Sequence, residues 1–119
     1  MNHYTVGEHD TRPWGTWQVI GVGDNFIVKQ ITVNPGEILS LQRHQYRSEH
    51  WTIVSGSGVV TLKDKKINVQ HDAGIYIPVG TWHRIENNSE GKLVFIEVQT
   101  GDTLDELDIE RKNDKYKRA

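Results

Sequence analysis

An all-β sandwich or barrel is the fold class this sequence predicts, and two observations predict it. From Thr16 to Gln99 the 119-residue chain is a succession of short β-type runs, broken by Gly, Pro, Asn and Asp at the even spacing of small all-β domains. Within several of those runs apolar and polar residues alternate, the period-two signature of a strand with one buried face.

In chain order, the first expected strand is Thr16–Val22, ended by the hairpin-type turn Gly23-Asp24-Asn25. Phe26–Val33 follows and stops at the Pro-led turn Asn34-Pro35-Gly36. Ile38–Gln42 and Glu49–Ser55 come next, with Gly56 as the break. Val59–Lys63 and Lys66–Val69 are joined through Lys63-Asp64-Lys65, a second hairpin turn. Ile75–Ile77, His83–Glu86 and Lys92–Gln99 complete the set. Met1 to Arg12 is polar and is expected to run over the surface. Thr103 to Ala119 carries Asp105, Glu106, Asp108 and Glu110 before Arg111, Lys112, Lys115, Lys117 and Arg118. Acidic first and basic last suits a short helix dipole; a solvated tail suits it as well, and both stay open.

Composition fits one domain, residues 1–119, with a core over about 12–102 and a tail over 103–119. Hydrophobic residues make up 35% and charged residues 25%, so the core is thin. A net charge of −2 gives no sign of nucleic acid or an anionic membrane as partner. Without cysteine there is neither a disulfide framework nor a thiolate metal site. No apolar run approaches the roughly 18 residues of a membrane span, and the N-terminus lacks a signal-peptide core. The expected location is cytoplasmic.

Alternation assigns side chains to faces. Lys29 falls on a stripe with Ile27, Ile31 and Val33, and a buried cation there asks for an anionic ligand or a carboxylate. Glu49 shares a face with Trp51 and Ile53, which turns His50 outward. Glu97 enters the interior if Leu93, Phe95, Glu97 and Gln99 form the inner set.

Four candidate metal ligands are Gln42, His44, Glu49 and His83. Gln42 and His44 project from one face of a strand, Glu49 follows across a turn, and His83 must arrive through folding. Imidazole with carboxylate suits zinc first, and also cobalt, nickel, iron or manganese. Arg47, between the ligands, places a guanidinium beside the site, fit for an oxyanion.

Gly36, Gln42, His44, Glu49 and Gly56 keep the spacing of the first cupin motif, with Gln in place of the first His. Pro78, Gly80, His83 and Asn87 match the second. The chain therefore resembles the cupin superfamily, which implies a double-stranded β-helix, or jelly-roll barrel. A closer likeness rests on Arg12-Pro13-Trp14-Gly15, Asn34-Pro35-Gly36-Glu37, Leu39-Ser40-Leu41-Gln42, Arg47-Ser48-Glu49-His50-Trp51, His83-Arg84-Ile85-Glu86-Asn87 and Ile96 through Asp102. Those segments resemble the C-terminal domain of type II mannose-6-phosphate isomerases, and the likeness extends through Asp108-Ile109 to Tyr116-Lys117-Arg118. One departure stands out: Gln45 and Tyr46 occupy positions where that family has two further His.

The resemblance implies metal-dependent interconversion of mannose 6-phosphate and fructose 6-phosphate. The metal would stabilise an enediolate-like oxyanion, a base would move the proton, and a cation would anchor the phosphate. On this reading Arg47 at the barrel mouth contacts substrate, Lys29 and Arg12 take the phosphate, and Glu97 is the base, with His50 as the family-suggested competitor. No nucleotidyltransferase activity is expected, since no Gly-rich nucleotide loop is present. The alternative is a non-catalytic sugar-phosphate-binding or regulatory cupin, and a cupin dioxygenase is a third reading that Gln42 disfavours. Sheet edges and the family likeness favour a homodimer.

Overall fold

The structure is a computed structural model that describes residues 2–112. Eleven strands form in chain order: β1 His9–Arg12, β2 Gly15–Val22, β3 Phe26–Val33, β4 Leu41–Arg43, β5 Ser48–Ser55, β6 Ser57–Leu62, β7 Lys65–Gln70, β8 Gly74–Ile77, β9 His83–Glu86, β10 Leu93–Thr100 and β11 Glu110–Lys112. They pair into a six-stranded sheet, ordered β1-β2-β3-β10-β5-β8, and a five-stranded sheet, ordered β11-β4-β9-β6-β7. Every strand pairing is antiparallel, and the described residues contain no helix. This is the jelly-roll layout, two sheets facing one another around a shared interior.

The interior is filled by alternate residues, as the pleat requires. On β3 the buried set is Ile27, Lys29, Ile31 and Val33; on β10 it is Leu93, Phe95, Glu97 and Gln99; on β5 it is Glu49, Trp51 and Ile53. Lys29, Glu97 and Trp51 lie side by side across β3, β10 and β5. Polar groups thus occupy one end of a barrel whose other end is closed by Val60, Val69, Ile53, Ile85 and Phe95.

The turns follow their chemistry. Lys63 and Asp64 make a two-residue hairpin between β6 and β7, with Lys63 at φ 56. Gly36 has φ 77, which only a residue without Cβ adopts readily, and the Asn34 carbonyl accepts the Glu37 N–H across that turn at 3.1 Å. Gly56, at φ 85, is required twice over: a Cβ there would sit 2.5 Å from the Lys92 carbonyl oxygen.

Three expectations are corrected. The strand expected over 38–42 forms only at 41–43; before it Leu39 bonds singly to Ile85, and Ile38 makes an isolated bridge to Glu86. The N-terminal stretch is not a surface run throughout. Tyr4 is buried, Asn2 bridges Leu104, and residues 9–12 add an edge strand to β2. Over its described residues, 103–112, the C-terminal segment is neither helix nor solvated tail. Leu104 is fully buried, the chain makes a turn from Asp105 to Asp108, and β11 then pairs with β4. Lys115, Tyr116, Lys117 and Arg118 lie outside the described residues.

Residues 103–112 therefore form a strap across the polar end of the barrel, fixed by Leu104. Leu104→Ala should destabilise the fold by about 2–5 kcal/mol, the cost of a large-to-small change in a packed site. Chemical denaturation is the measurement; a change under about 0.5 kcal/mol, the range of ordinary surface substitutions, would mean that the strap is not anchored there.

Candidate metal centre

Both sheets contribute to the polar end. The five-stranded sheet supplies His83 at the start of β9 and His44 just after β4, with Gln42 on β4 the cross-strand neighbour of His83. The six-stranded sheet supplies Glu49 on the inner face of β5. His44, Glu49 and His83 each present one ligand atom, and these atoms lie within 4.8 Å of one another. The Nε2 atoms of His44 and His83 stand 3.2 and 3.9 Å from Glu49 carboxylate oxygens. Two ligand bonds of about 2.1 Å span at most about 4.2 Å, so a single ion fits between each of these pairs.

The hydrogen bonds behind the rings strengthen that fit. His44 Nδ1–H donates to the Asp108 carbonyl at 2.7 Å, and His83 Nδ1–H to the Thr81 carbonyl at 2.9 Å. Each imidazole therefore directs its Nε2 lone pair toward the carboxylate, the tautomer a metal requires. Burial lowers the His44 pKa to about 4, against the opposing pull of Glu49, and lowers that of His83 as well. Lone pairs of neutral imidazoles facing a carboxylate are acceptors facing an acceptor. The Arg47 guanidinium meets part of that demand, approaching His44 Nε2 at 3.4 Å, while the His83 lone pair faces Glu49 Oε1 at 3.9 Å. A divalent ion would serve both rings, and the donor set fits one.

Glu49 is itself held firmly. Arg47 Nε–H donates to Oε2 and Trp51 Nε1–H to Oε1, both at 2.9 Å. Burial works against its charge, but Arg47 first, then the imidazoles and a hydrogen bond with Glu97, hold the carboxyl well below the usual range. Glu97 goes the other way. Burial, then the charge of Glu49, raise its pKa to about 8 while Lys29 opposes them, so it carries a proton at neutral pH. Gln99 Nε2–H donates to its other face at 2.7 Å. In the resting protein Glu97 is an acid, whereas the sequence suggests a base.

The remaining candidates divide. Arg47 is buried rather than set at the mouth, and beyond Glu49 it reaches His44 Nε2 at 3.4 Å and the Asp105 carbonyl at 3.5 Å. Gln42 points its amide N–H to Ser40 Oγ at 3.3 Å and lines the small interior cavity beside Arg47. Lys29 is buried and ion-paired with Glu106 at 2.9 Å, its ammonium lying over the Trp17 and Tyr4 rings. Arg12 pairs with Asp10 at 3.1 Å and approaches Glu106 at 3.5 Å. His50 is corrected: it faces outward and packs on Tyr76, with ring centroids 4.6 Å apart, so it cannot reach the cluster.

Sequence reasoning missed Glu106, Asp108 and Tyr4. Lys29 asks for a carboxylate, and the acidic run beside Leu104 holds it; recognising Leu104 as core was the available signal. Asp108 does two jobs, since its carboxylate also accepts the Gln45 and Tyr46 backbone N–H groups at 2.7 and 2.9 Å. Inside the strap a cavity of about 60 Å³ is lined by Lys29, Gln42, Arg47, Glu97 and Glu106 among others. Outside it an opening of about 390 Å³ meets the cluster at His44 and is rimmed by Tyr46, Val79 and Leu107.

Comparison with known proteins follows from this geometry. The family described as mannose-6-phosphate isomerase C-terminal matches residues 1–114. The alginate biosynthesis protein AlgA of Pseudomonas aeruginosa is 47% identical over 91% of this chain, which covers 22% of that protein. A mannose-1-phosphate guanylyltransferase of Salmonella montevideo is 45% identical over 90% of this chain and 23% of its own length. Among solved structures, the S161A mutant of Bacillus subtilis oxalate decarboxylase OxdC superposes with a TM-score of 0.76 at 22% identity, over 89% of this chain and 30% of that one, a likeness of fold. These relatives correct two expectations. Their names refer to guanylyl transfer and alginate biosynthesis, so neither the interconversion of mannose 6-phosphate and fructose 6-phosphate, with its non-catalytic alternative, nor a lack of nucleotidyltransferase activity follows from them. The chain spans under a quarter of their length.

The ion pair under the strap gives a pH prediction. Burial opposes the Glu106 charge, but Lys29 and the Tyr4 hydroxyl hold its pKa at about 2, below the ordinary 4.5. Between those values the unfolded chain binds more protons than the native one, so stability present above about 4.5 drains away as pH falls toward 2. Glu106→Gln should be less stable at pH 7 and should flatten that acid limb. Denaturation at a series of pH values measures it; an unchanged limb would show that the carboxylate is not held by the pair.

Proposed function

The chain belongs to the mannose-6-phosphate isomerase C-terminal family, and from that premise we propose that it is a divalent-metal-binding module of mannose-phosphate metabolism whose ligand is a phosphorylated sugar. The observation that carries the reading is the pair of Nε2 lone pairs on His44 and His83, both turned to the buried Glu49 carboxylate. Its relatives' names support a setting in the supply of activated mannose, beside guanylyl transfer.

His44, Glu49 and His83 would hold the ion, with Gln42 on the neighbouring strand as a further oxygen donor once its amide turns from Ser40. When bound, such an ion supplies Lewis-acid polarisation of ligand oxygens. The chain's own groups do the rest. Arg47 fixes the Glu49 carboxylate, and the Asp108 and Thr81 carbonyls fix the rings. Glu97 holds a proton next to Glu49, within the same buried interior. Charge favours an anionic ligand: Arg47 offsets Glu49 and Lys29 offsets Glu106, so a divalent ion leaves the interior with excess positive charge. Zinc extends the reading, since two imidazoles and a carboxylate are a zinc donor set. A homodimer and a cytoplasmic location extend it further.

Purified protein should contain a stoichiometric divalent metal by elemental analysis, and His44→Ala and His83→Ala should lose it. At about 100 times the dissociation constant the ion should add about 2.7 kcal/mol of stability. Titration of mannose 1-phosphate and mannose 6-phosphate should give binding to the loaded protein and weaker binding after chelation. Full metal retention by either variant, or no metal uptake by the wild type, would sink the proposal.

A further inference from the structure

The cation that the barrel buries most deeply away from the metal ligands is neutralised from outside the barrel. Lys29 is 4% exposed on the inner face of β3, and the carboxylate it meets, Glu106 Oε2 at 2.9 Å, comes from the strap. The Tyr4 hydroxyl donates to the same oxygen, and Arg12 Nη2 reaches the other at 3.5 Å. Two cations and a hydroxyl thus converge on one carboxylate, the donor pattern of an oxyanion site.

We propose that this is the phosphoryl site, that Glu106 occupies it in place of the ligand, and that the turn Asp105–Leu107 swings out to admit the phosphate. The proposal rests on the phosphorylated-sugar reading above and deepens it by naming where the phosphate goes and what it displaces.

Three observations support the exchange. The first is volume: with Glu106 in place the cavity that Lys29, Arg47 and Glu97 line is about 60 Å³, against roughly 300 Å³ or more for ordinary small-molecule sites. That volume does not accommodate a whole phosphorylated sugar beside Glu106. The second is mobility. Leu107 is 87% exposed, and the turn's backbone N–H groups bond locally, Asp108 N–H to the Asp105 carbonyl and Leu107 N–H to Asp105 Oδ1. Besides the Glu106 contacts, the turn's ties to the barrel are the long Arg47 approach to the Asp105 carbonyl at 3.5 Å and the exposed His3–Asp105 pair at 3.7 Å. Its two ends are fixed, by buried Leu104 on one side and by the Asp108 carboxylate on the Gln45 and Tyr46 amides on the other. The turn can therefore move as a unit while the Asp108 carbonyl keeps hold of His44. The third is charge: a phosphomonoester brings up to two negative charges and three acceptor oxygens where the carboxylate brings one and two, so it satisfies Lys29, Arg12 and Tyr4 more fully.

The test is calorimetric titration of inorganic phosphate, mannose 6-phosphate and unphosphorylated mannose into the metal-loaded wild type, Glu106→Gln, Glu106→Asp and the double variant Glu106→Gln/Lys29→Met. Removing the internal competitor should tighten phosphate binding about tenfold or more in Glu106→Gln. Glu106→Asp, which keeps the charge but shortens the reach, should give a smaller gain. The double variant should lose the gain, and mannose should respond to none of the changes. In the wild type, saturating phosphate should speed hydrogen exchange at the Leu107, Asp108 and Ile109 amides, a readout independent of any variant. Equal or weaker phosphate binding by Glu106→Gln, or unchanged exchange in the wild type, overturns the displacement. If mannose 6-phosphate binds wild type and Glu106→Gln equally, the sugar-phosphate reading stands and the displacement fails. If no protein binds mannose 6-phosphate while Glu106→Gln gains phosphate, the site stands and the sugar reading fails.

Discussion

An ionised carboxylate with 1% exposure sits at the polar end of this barrel, and the surrounding architecture is organised around keeping it charged. Taking a carboxylate out of water costs several kcal/mol even after relaxation, so Glu49 stays ionised only because its oxygens are met by donors. Arg47 and Trp51 supply them from β5 and the loop before it, at 2.9 Å each. The consequence spreads outward. Glu97, one strand away on β10, keeps its proton at neutral pH because burial, and after it the charge of Glu49, raises its pKa to about 8. The imidazoles opposite stay neutral because burial outweighs the attraction of Glu49. Burial thus leaves three uncharged neighbours around one fixed negative charge, the anionic centre that a divalent ion would need.

The second organising device is the strap. It reaches the site at three points: the Asp105 carbonyl near Arg47, Glu106 on Lys29, and the Asp108 carbonyl on His44. The N-terminal residues anchor its first turn, through the Asn2–Leu104 bridge and the His3 N–H bonded to the Leu104 carbonyl at 2.9 Å. Two polar chain ends therefore support each other over the barrel mouth. The ring of His44, a candidate ligand, is oriented by a backbone carbonyl more than 60 residues later in the chain, so the geometry of the cluster depends on long-range closure rather than on the β4–β5 loop alone.

That division explains what could be read from the residues in advance. Lys29, Glu49 and Glu97 could be placed inside because a period of two leaves no other face for them once Ile31, Trp51 and Phe95 are core. His44 and His83 could be assigned because their motif spacing is tied to turns at Gly36, Gly56 and Gly80, all at positive φ. The end segments gave no such signal. His9–Arg12 and Glu110–Lys112 are short, polar edge strands, whose pairing is decided by the exposed edges of β2 and β4 rather than by any pattern of their own. Leu104 lies in an acidic run that on composition suits a helix or a solvated tail. Activity was the least legible level, because the matching relatives are several times longer and their names describe the whole protein.

The loss of two imidazoles at Gln45 and Tyr46 acquires a specific meaning in this geometry. Both backbone N–H groups are held by the Asp108 carboxylate, which fixes their peptide planes whatever their side chains. Both side chains are exposed, and both line the opening of about 390 Å³ outside the strap. Neither is among the residues that hold Glu49 or orient the two rings. The departure therefore alters the approach to the centre while leaving its donors intact: two titratable, metal-affine groups give way to an amide and a phenol on the rim. Leu107, carried by the strap's turn, lines the same opening, so the segment that covers Lys29 and the two differing positions border one entrance.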